Sequence, residues 1–379
     1  MDICSRFKEQ TTAFYSAGIC LKNSDRHQEA ISYFEQLLKS DPTNESAWIN
    51  KAQCEIQCKD YLAAEQTLLT AQKHCTDYYP LFSEYANLPR ISEDWNIAAD
   101  RWTVVCRQFN EQTGALYSTG VCLRKAERHE EAIQHFTRLL KLDPTHESGW
   151  INKAQCEIQC ENYNQAQQTL LAGQKQCPDY YPLFSEYANL PRKTDNWDLT
   201  ASRWKEVCLS YNENPDCQYN AAVFLVKAGR NEEALTHFDR LLASKPSHDM
   251  GIFHKAACLI SLERYDEART TLLHGVDLYP DFTRYQIALA NLAMTTNRLT
   301  EALEHWQKLV DNNTGDSQAT FGLAVCYMKM KKYRSAAPYL SALAASTPNN
   351  KLYSDYNKRC QSILCRDIEN CISAQGIST

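Results

Sequence analysis

Apolar positions along this 379-residue chain follow one template, written several times over. Asp77 to Arg90 (DYYPLFSEYANLPR) recurs without change at Asp179 to Arg192, and Lys51 to Cys58 (KAQCEIQC) recurs at Lys153 to Cys160. Both offsets are 102 residues, and the same offset links Phe34, Phe136 and Phe238, then Trp102, Trp204 and Trp306. Because 102 is three times 34, the chain divides without insertion into blocks starting at Thr11, Glu45, Tyr79, Thr113, Glu147, Tyr181, Pro215, Asp249, Thr283 and Ser317. Such a fixed period marks a tandem array.

Within a block, the eighth place is glycine or alanine in all ten copies, from Gly18 to Ala324, so two helices must approach closely there. The twentieth place is alanine except at Thr200, and four residues later stands Phe34, Leu68, Trp102, Phe136, Leu170, Trp204, Phe238, Leu272, Trp306 or Leu340. Residues at i and i+4 share one helical face, so this is the packing stripe of a second helix. Proline closes the block at Pro42, Pro144, Pro178, Pro246, Pro280 and Pro348, where it stops that helix. The pattern predicts helix, turn, helix, turn in every block. Pro89 and Pro191 fall inside the first helix of the third and sixth blocks and should end it near Leu88 and Leu190, because proline disfavours α geometry in the residue before it.

A small residue at the eighth place, alanine at the twentieth, a bulky one at the twenty-fourth and proline at the thirty-second resemble the tetratricopeptide repeat, over residues 11 to about 350. The resemblance implies an all-α fold, a right-handed α-solenoid or superhelix of helix-turn-helix units, whose first helices line a concave groove that binds peptides or other proteins. Departures fall at the proline place, with Thr76, Asn110, Asn212 and Thr314, and at the fourth place, with Gln218, Gln286 and Thr320. The expected organisation is a frayed segment 1–10; triplets 11–112, 113–214 and 215–316; a single repeat 317–350; a capping helix 351–373; and a tail 374–379. The cap follows from Leu352, Tyr356, Cys360, Ile363, Leu364, Ile368 and Cys371 at helical spacing, and a solenoid needs it to cover its last apolar face. The phrase EYANLPR…DWN…RW looks like repeats in bacterial proteins encoded with glycosyltransferases or surface-polysaccharide enzymes, which implies a setting and no activity.

Composition agrees with helices: 11 glycines and 12 prolines are too few for the turns of a β-sandwich or barrel. Forty basic against 46 acidic residues give a net charge of −6, which opposes nucleic acid as a partner, and neither a secretory signal nor a long apolar run is present. No membrane insertion and a cytoplasmic location are expected. Seventeen cysteines then read as reduced, mostly buried thiols. Cys54 with Cys58 and Cys156 with Cys160 offer two zinc ligands each, half of what a site needs. No phosphate loop, dinucleotide fingerprint or nucleophile elbow occurs, and the blocks leave no room for a catalytic domain. The reading is a non-enzyme without metal or cofactor.

Function is then sought in the groove, at places five, nine and twelve of each first helix. The amino-terminal half of that stripe mixes aromatic, amide and cationic groups, and the candidate ligand residues are Tyr15, Lys22, Asn87, Arg90, Tyr117, Arg124, Asn189 and Arg192, with Asn50 and Asn152 adjacent to the stripe. An amide offers a peptide backbone both donor and acceptor, and arginine grips a carboxylate through two parallel bonds. The carboxy-terminal half is mainly apolar, with Tyr219, Phe253 and Phe321 as candidates, and suits packing against the neighbouring repeat or self-association, whereas the amino-terminal groove suits an acidic segment with an apolar anchor. The expected role is a scaffold or adaptor for a protein or peptide segment, acidic with an apolar anchor. The alternative is an accessory or regulatory subunit of a glycosyltransferase or polysaccharide-biosynthesis enzyme.

Overall fold

A computed structural model of the chain describes the backbone of residues 3–312 and 316–374, and the side chains of 10–312 and 316–366. Among these residues there are 21 α-helices and no strand. The chain forms two compact units, 1–190 and 191–379. The first holds α1 (Ile3–Asn23), α2 (His27–Ser40), α3 (Glu45–Gln57), α4 (Tyr61–His74), α5 (Tyr79–Asn87), α6 (Trp95–Gln108), α7 (Thr113–Lys125), α8 (His129–Leu142), α9 (Glu147–Gln159), α10 (Tyr163–Gln176) and α11 (Tyr181–Asn189). The second holds α12 (Trp197–Ser210), α13 (Pro215–Lys227), α14 (Asn231–Ser244), α15 (Asp249–Ser261), α16 (Tyr265–Leu278), α17 (Thr283–Thr295), α18 (Leu299–Asn312), α19 (Ser317–Lys329), α20 (Tyr333–Ser346) and α21 (Lys351–Ala374).

From α3 onward the odd-numbered helices up to α19 begin at the first residue of a 34-residue block. The first helix is the exception: α1 begins at Ile3, ahead of the first block's start at Thr11. Several first helices open on a side-chain cap: Asn44 Oδ1 accepts from Ala47 N, Asp316 Oδ1 from Gln318 N and Ala319 N, and the Nδ1 atoms of His146 and His248 from Gly149 N and Gly251 N. Each satisfies a backbone donor that the helix start leaves unpaired.

Each core is laid down block by block. Ala30, Phe34, Ala132, Phe136, Ala234 and Phe238 are wholly buried, and Gly18 and Gly120 let the rings of Phe34 and Phe136 lie against the backbone of α1 and α7. Burying one such ring stabilises by about 1.5–3 kcal/mol, so the repeated small-and-bulky pair is the main source of stability. Between the two helices of every block the chain turns through one left-handed residue: Asp25, Lys59, Glu93, Glu127, Glu161, Asp195, Gly229, Glu263, Asn297 and Lys331, with φ between 52° and 75°.

The third block departs as the prolines require. α5 stops at Asn87, and Leu88–Ser92 continue as a 3-10 turn; Leu190–Thr194 follow α11 in the same way. At the far end α21 covers α20 and α19, with Cys360 buried and Tyr356 and Leu364 packed beside Phe321. Leu352 is half exposed, so the cap's apolar face begins one turn later than its spacing predicts. Thr314, the side chains of Ile368 and Cys371, and the tail from 375 lie outside the described residues.

Candidate functional site

In the first unit, three successive first helices share a ladder of polar side chains. Lys22 on α1 donates from Nζ to Asn50 Oδ1 at 2.7 Å and to Gln53 Oε1 at 2.5 Å, both on α3. Gln53 Nε2 in turn donates to Glu84 Oε1 on α5 at 3.1 Å. Asn50 Nδ2 donates to its own helix at Ser46 O, 2.8 Å, and reaches the Tyr15 hydroxyl at 3.5 Å. Tyr15, Lys22 and Asn50 thus lie together, joined by Gln53, which is on the stripe, and by Glu84, which the candidate set lacks. Glu84 stands at the sixth place of its block, one residue outside the stripe as drawn, and only the packing of α3 against α5 reveals it.

The copy 102 residues on is built from the same places but is less connected. Gln155 Nε2 approaches Glu186 Oε1 at 3.4 Å, and Asn152, which is buried, donates to Ser148 O at 2.8 Å. Tyr117 lies against the capping ring of His146, with centroids 4.7 Å apart. The half-buried Arg124 takes the place of Lys22, and its Nε is enclosed without a hydrogen-bond partner. Both asparagines spend a donor on their own helix, which leaves less of the amide for a ligand than the sequence promises.

Four candidates lie at or beyond the early ends of α5 and α11. Arg90 and Arg192 lie on the 3-10 turns beyond α5 and α11, exposed, because the following helix geometry is interrupted at the prolines. Arg90 donates from Nη1 to Asn87 Oδ1 at 2.9 Å, and its guanidinium sits 5.8 Å from the Trp95 ring. Asn87 also accepts from the buried Trp102 through Nε1 at 3.2 Å, so its carbonyl closes the short helix onto the next one. Asn189 is half-buried at the corresponding end of α11. Arg192 belongs to the second unit, where it lies 5.2 Å from the Phe224 ring.

In the second unit the stripe opens into a depression of about 340 Å3 between α15 and α17, lined by Phe253, Ala257, Ile260, Ile287 and Asn291 and floored by Leu272. Arg284 stands at its edge, held by Asp249 at 3.1 Å. Tyr219 is occupied, with its hydroxyl 3.0 Å from His254 Nδ1, its ring stacked on His254 and a tilted contact to His248 at 5.0 Å between centroids. Burial pushes the Tyr219 hydroxyl up and the His254 imidazole down, so both stay neutral. Phe321 packs against Tyr353 and Tyr356 of α21, with centroids 4.9 and 5.1 Å away, and is covered by the cap. No group of three or more histidine, cysteine or acidic side chains poised for a metal occurs among the described residues.

Tetratricopeptide-repeat family models match residues 23–79, 123–190 and 225–292, and a second such model matches 92–147 and 287–351. The chain belongs to the tetratricopeptide repeat family. It is 24% identical over 277 residues to the peroxisomal targeting signal receptor of Candida glabrata, covering 73% of this chain and 41% of that protein. It is 27% identical over 169 residues to human DnaJ homolog subfamily C member 7, covering 44% and 30%. The tetratricopeptide chain spans less than half the length of each of these curated relatives. Among solved structures, the C-terminal part of a repeat-containing protein from Cytophaga hutchinsonii aligns at a TM-score of 0.48 and 15% identity, over 63% of this chain and 98% of that one. Tetratricopeptide arrays serve generally as protein-interaction scaffolds, and no helix among the described residues is long and apolar enough to cross a membrane.

Proposed function

We propose that this tetratricopeptide protein is a non-catalytic scaffold that captures a protein segment through an apolar anchor, with acidic groups beside it. The observation that carries the reading is the depression between α15 and α17, whose walls include stripe places five and nine of two consecutive repeats, Phe253 with Ala257 and Ile287 with Asn291. Its volume admits one large aliphatic or aromatic side chain, and Arg284 at the rim suits a neighbouring carboxylate. The polar ladder of the first unit supports a second contact of the same kind, with Arg90 and Arg124 as the cations and Tyr15 and Tyr117 as rigid apolar area. The name of the yeast relative, a receptor for a targeting signal, accords with recognition of a short segment. The accessory-subunit alternative stands on the EYANLPR phrase, and in the first unit that phrase forms α5, its 3-10 turn and the Asn87–Trp102 bond, which favour no particular partner enzyme.

The test is a peptide-library selection on the whole chain, repeated with two variants. Ala257→Trp fills the depression and should abolish selection of apolar anchors while leaving helix content intact. Arg90→Ala with Arg124→Ala should weaken capture of acidic peptides by about 1–3 kcal/mol and flatten its salt dependence. Undiminished binding by both variants would overturn the reading, and sedimentation showing that the occupant is a second copy of the chain would replace it with self-association.

A further inference from the structure

Where α12, α13 and α14 meet, two cysteines and a histidine stand together that neither binding surface uses. Cys208 near the end of α12 and Cys217 near the start of α13 are buried and free, with their sulfurs 2.6 Å apart. His237 on α14 lies 2.8 Å from Nδ1 to Gln218 Oε1. The Gln218 amide nitrogen donates to Asn212 O at 2.8 Å, so its oxygen must face the ring, and Nδ1 must carry the proton. A hydrogen bond from Cys217 holds the Cys208 thiol below its ordinary value against the effect of burial, helped by His237 and by the charge of Arg240, while Cys217 is pushed up. Of the two, Cys208 is thus the more readily ionised and Cys217 the more firmly protonated.

Access is provided as well. A cavity of about 490 Å3 reaches Cys208 from solvent, and its charged lining is Lys205, Glu206, Glu233, His237 and Arg240, with Lys205 paired to Glu233. The chain also carries its own control. One triplet earlier, Cys106, His135 and Arg138 occupy the places of Cys208, His237 and Arg240, but Ala115 stands where Cys217 would be. There the sulfur is 3.7 Å from His135 Nδ1, and burial pushes the Cys106 thiol up.

We propose that Cys208 and Cys217 are a peroxide-responsive thiol pair that closes a disulfide between α12 and α13. The oxidant is a small hydroperoxide, hydrogen peroxide in the simplest case. The Cys208 thiolate attacks one peroxide oxygen, forming an S–O bond as the O–O bond breaks, and hydroxide leaves and is protonated to water. Cys217, its proton taken up by the departing oxygen, then attacks the Cys208 sulfur; the S–S bond forms, the S–O bond breaks and a second water leaves. Two thiols lose two electrons and the peroxide is reduced to two waters. A small dithiol reverses the change by exchange, becoming a disulfide itself. The bond ties the last helix of the sixth repeat to the first helix of the seventh.

The whole chain is treated with graded hydrogen peroxide, alkylated with iodoacetamide, digested without reductant and mapped by mass. A linked Cys208–Cys217 peptide, lost after dithiothreitol, should arise at doses that leave Cys106 alkylated, and the oxidised protein should melt at a higher temperature. Cys217→Ala restores the arrangement of the earlier triplet, where alanine packs normally; it should stop at a Cys208 sulfenic acid that dimedone captures, more slowly than the wild type links. Cys208→Ser should leave Cys217 without oxidation product. The proposal fails if exposed Cys20 and Cys58 are oxidised while no Cys208–Cys217 link forms, if Cys208 links to a different cysteine, or if dimedone finds no Cys208 adduct in Cys217→Ala.

Discussion

At the scale of single residues, the repeat is written most firmly where space is least. A Cβ added at Gly120 would stand 2.7 Å from two carbons of the Phe136 ring, closer than real contacts allow. Gly120→Ala therefore sets two effects against each other: helix propensity favours alanine by about 1 kcal/mol, and overpacking costs about 1–3 kcal/mol. Because Phe136 is fully buried and has nowhere to withdraw, the clash should win, and the melting temperature should fall. A rise would mean that the ring yields. The sequence makes this legible in advance, since ten small residues in ten blocks can only mean contact with another helix. It is silent on Glu84 and on the enclosed Nε of Arg124, because those depend on how far α3 and α5, or α7 and its neighbours, approach one another.

At the scale of elements, the helix starts were readable from the 34-residue period and the early end of α5 from Pro89, since both are properties of local chain geometry. The partners of the stripe were not. Asn87 reads as a ligand amide from its place, yet it accepts from Trp102 and Arg90 and so belongs to the packing of α5 on α6. Asn87→Ala should cost about 1–3 kcal/mol, because it strands the buried indole N–H, and Trp102 fluorescence should report the change. Loss of peptide capture with stability untouched would return Asn87 to the binding surface. Phe321 teaches the same lesson from the other side: an apolar stripe residue looks like an anchor until the cap that covers it is seen.

At the scale of the whole molecule, half-buried histidines set a response to acid. His135, His254 and His305 are each held below the ordinary value of 6.5 by burial, helped by arginine charge and opposed by Glu131 at His135, by Asp249 at His254 and by Glu301 and Glu304 at His305. Each stays neutral when folded, so below that value the unfolded chain binds protons that the native chain resists, and stability falls as pH drops. Melting temperature should decline from about pH 7 to pH 5, and replacing the three with glutamine should flatten that decline. The turns between paired helices carry a different consequence. Nine of the ten left-handed residues have a side chain, at a cost of roughly 1–2 kcal/mol each, partly offset by a stiffer unfolded chain; Gly229 alone escapes it. Glu127→Gly should raise stability by about 1 kcal/mol and Gly229→Ala should lower it by a similar amount, both read from urea unfolding. None of these turn residues lines either candidate surface, so the array holds a graded dial for heat tolerance. One spelling change, repeated up to nine times, would toughen the scaffold without altering what it grips.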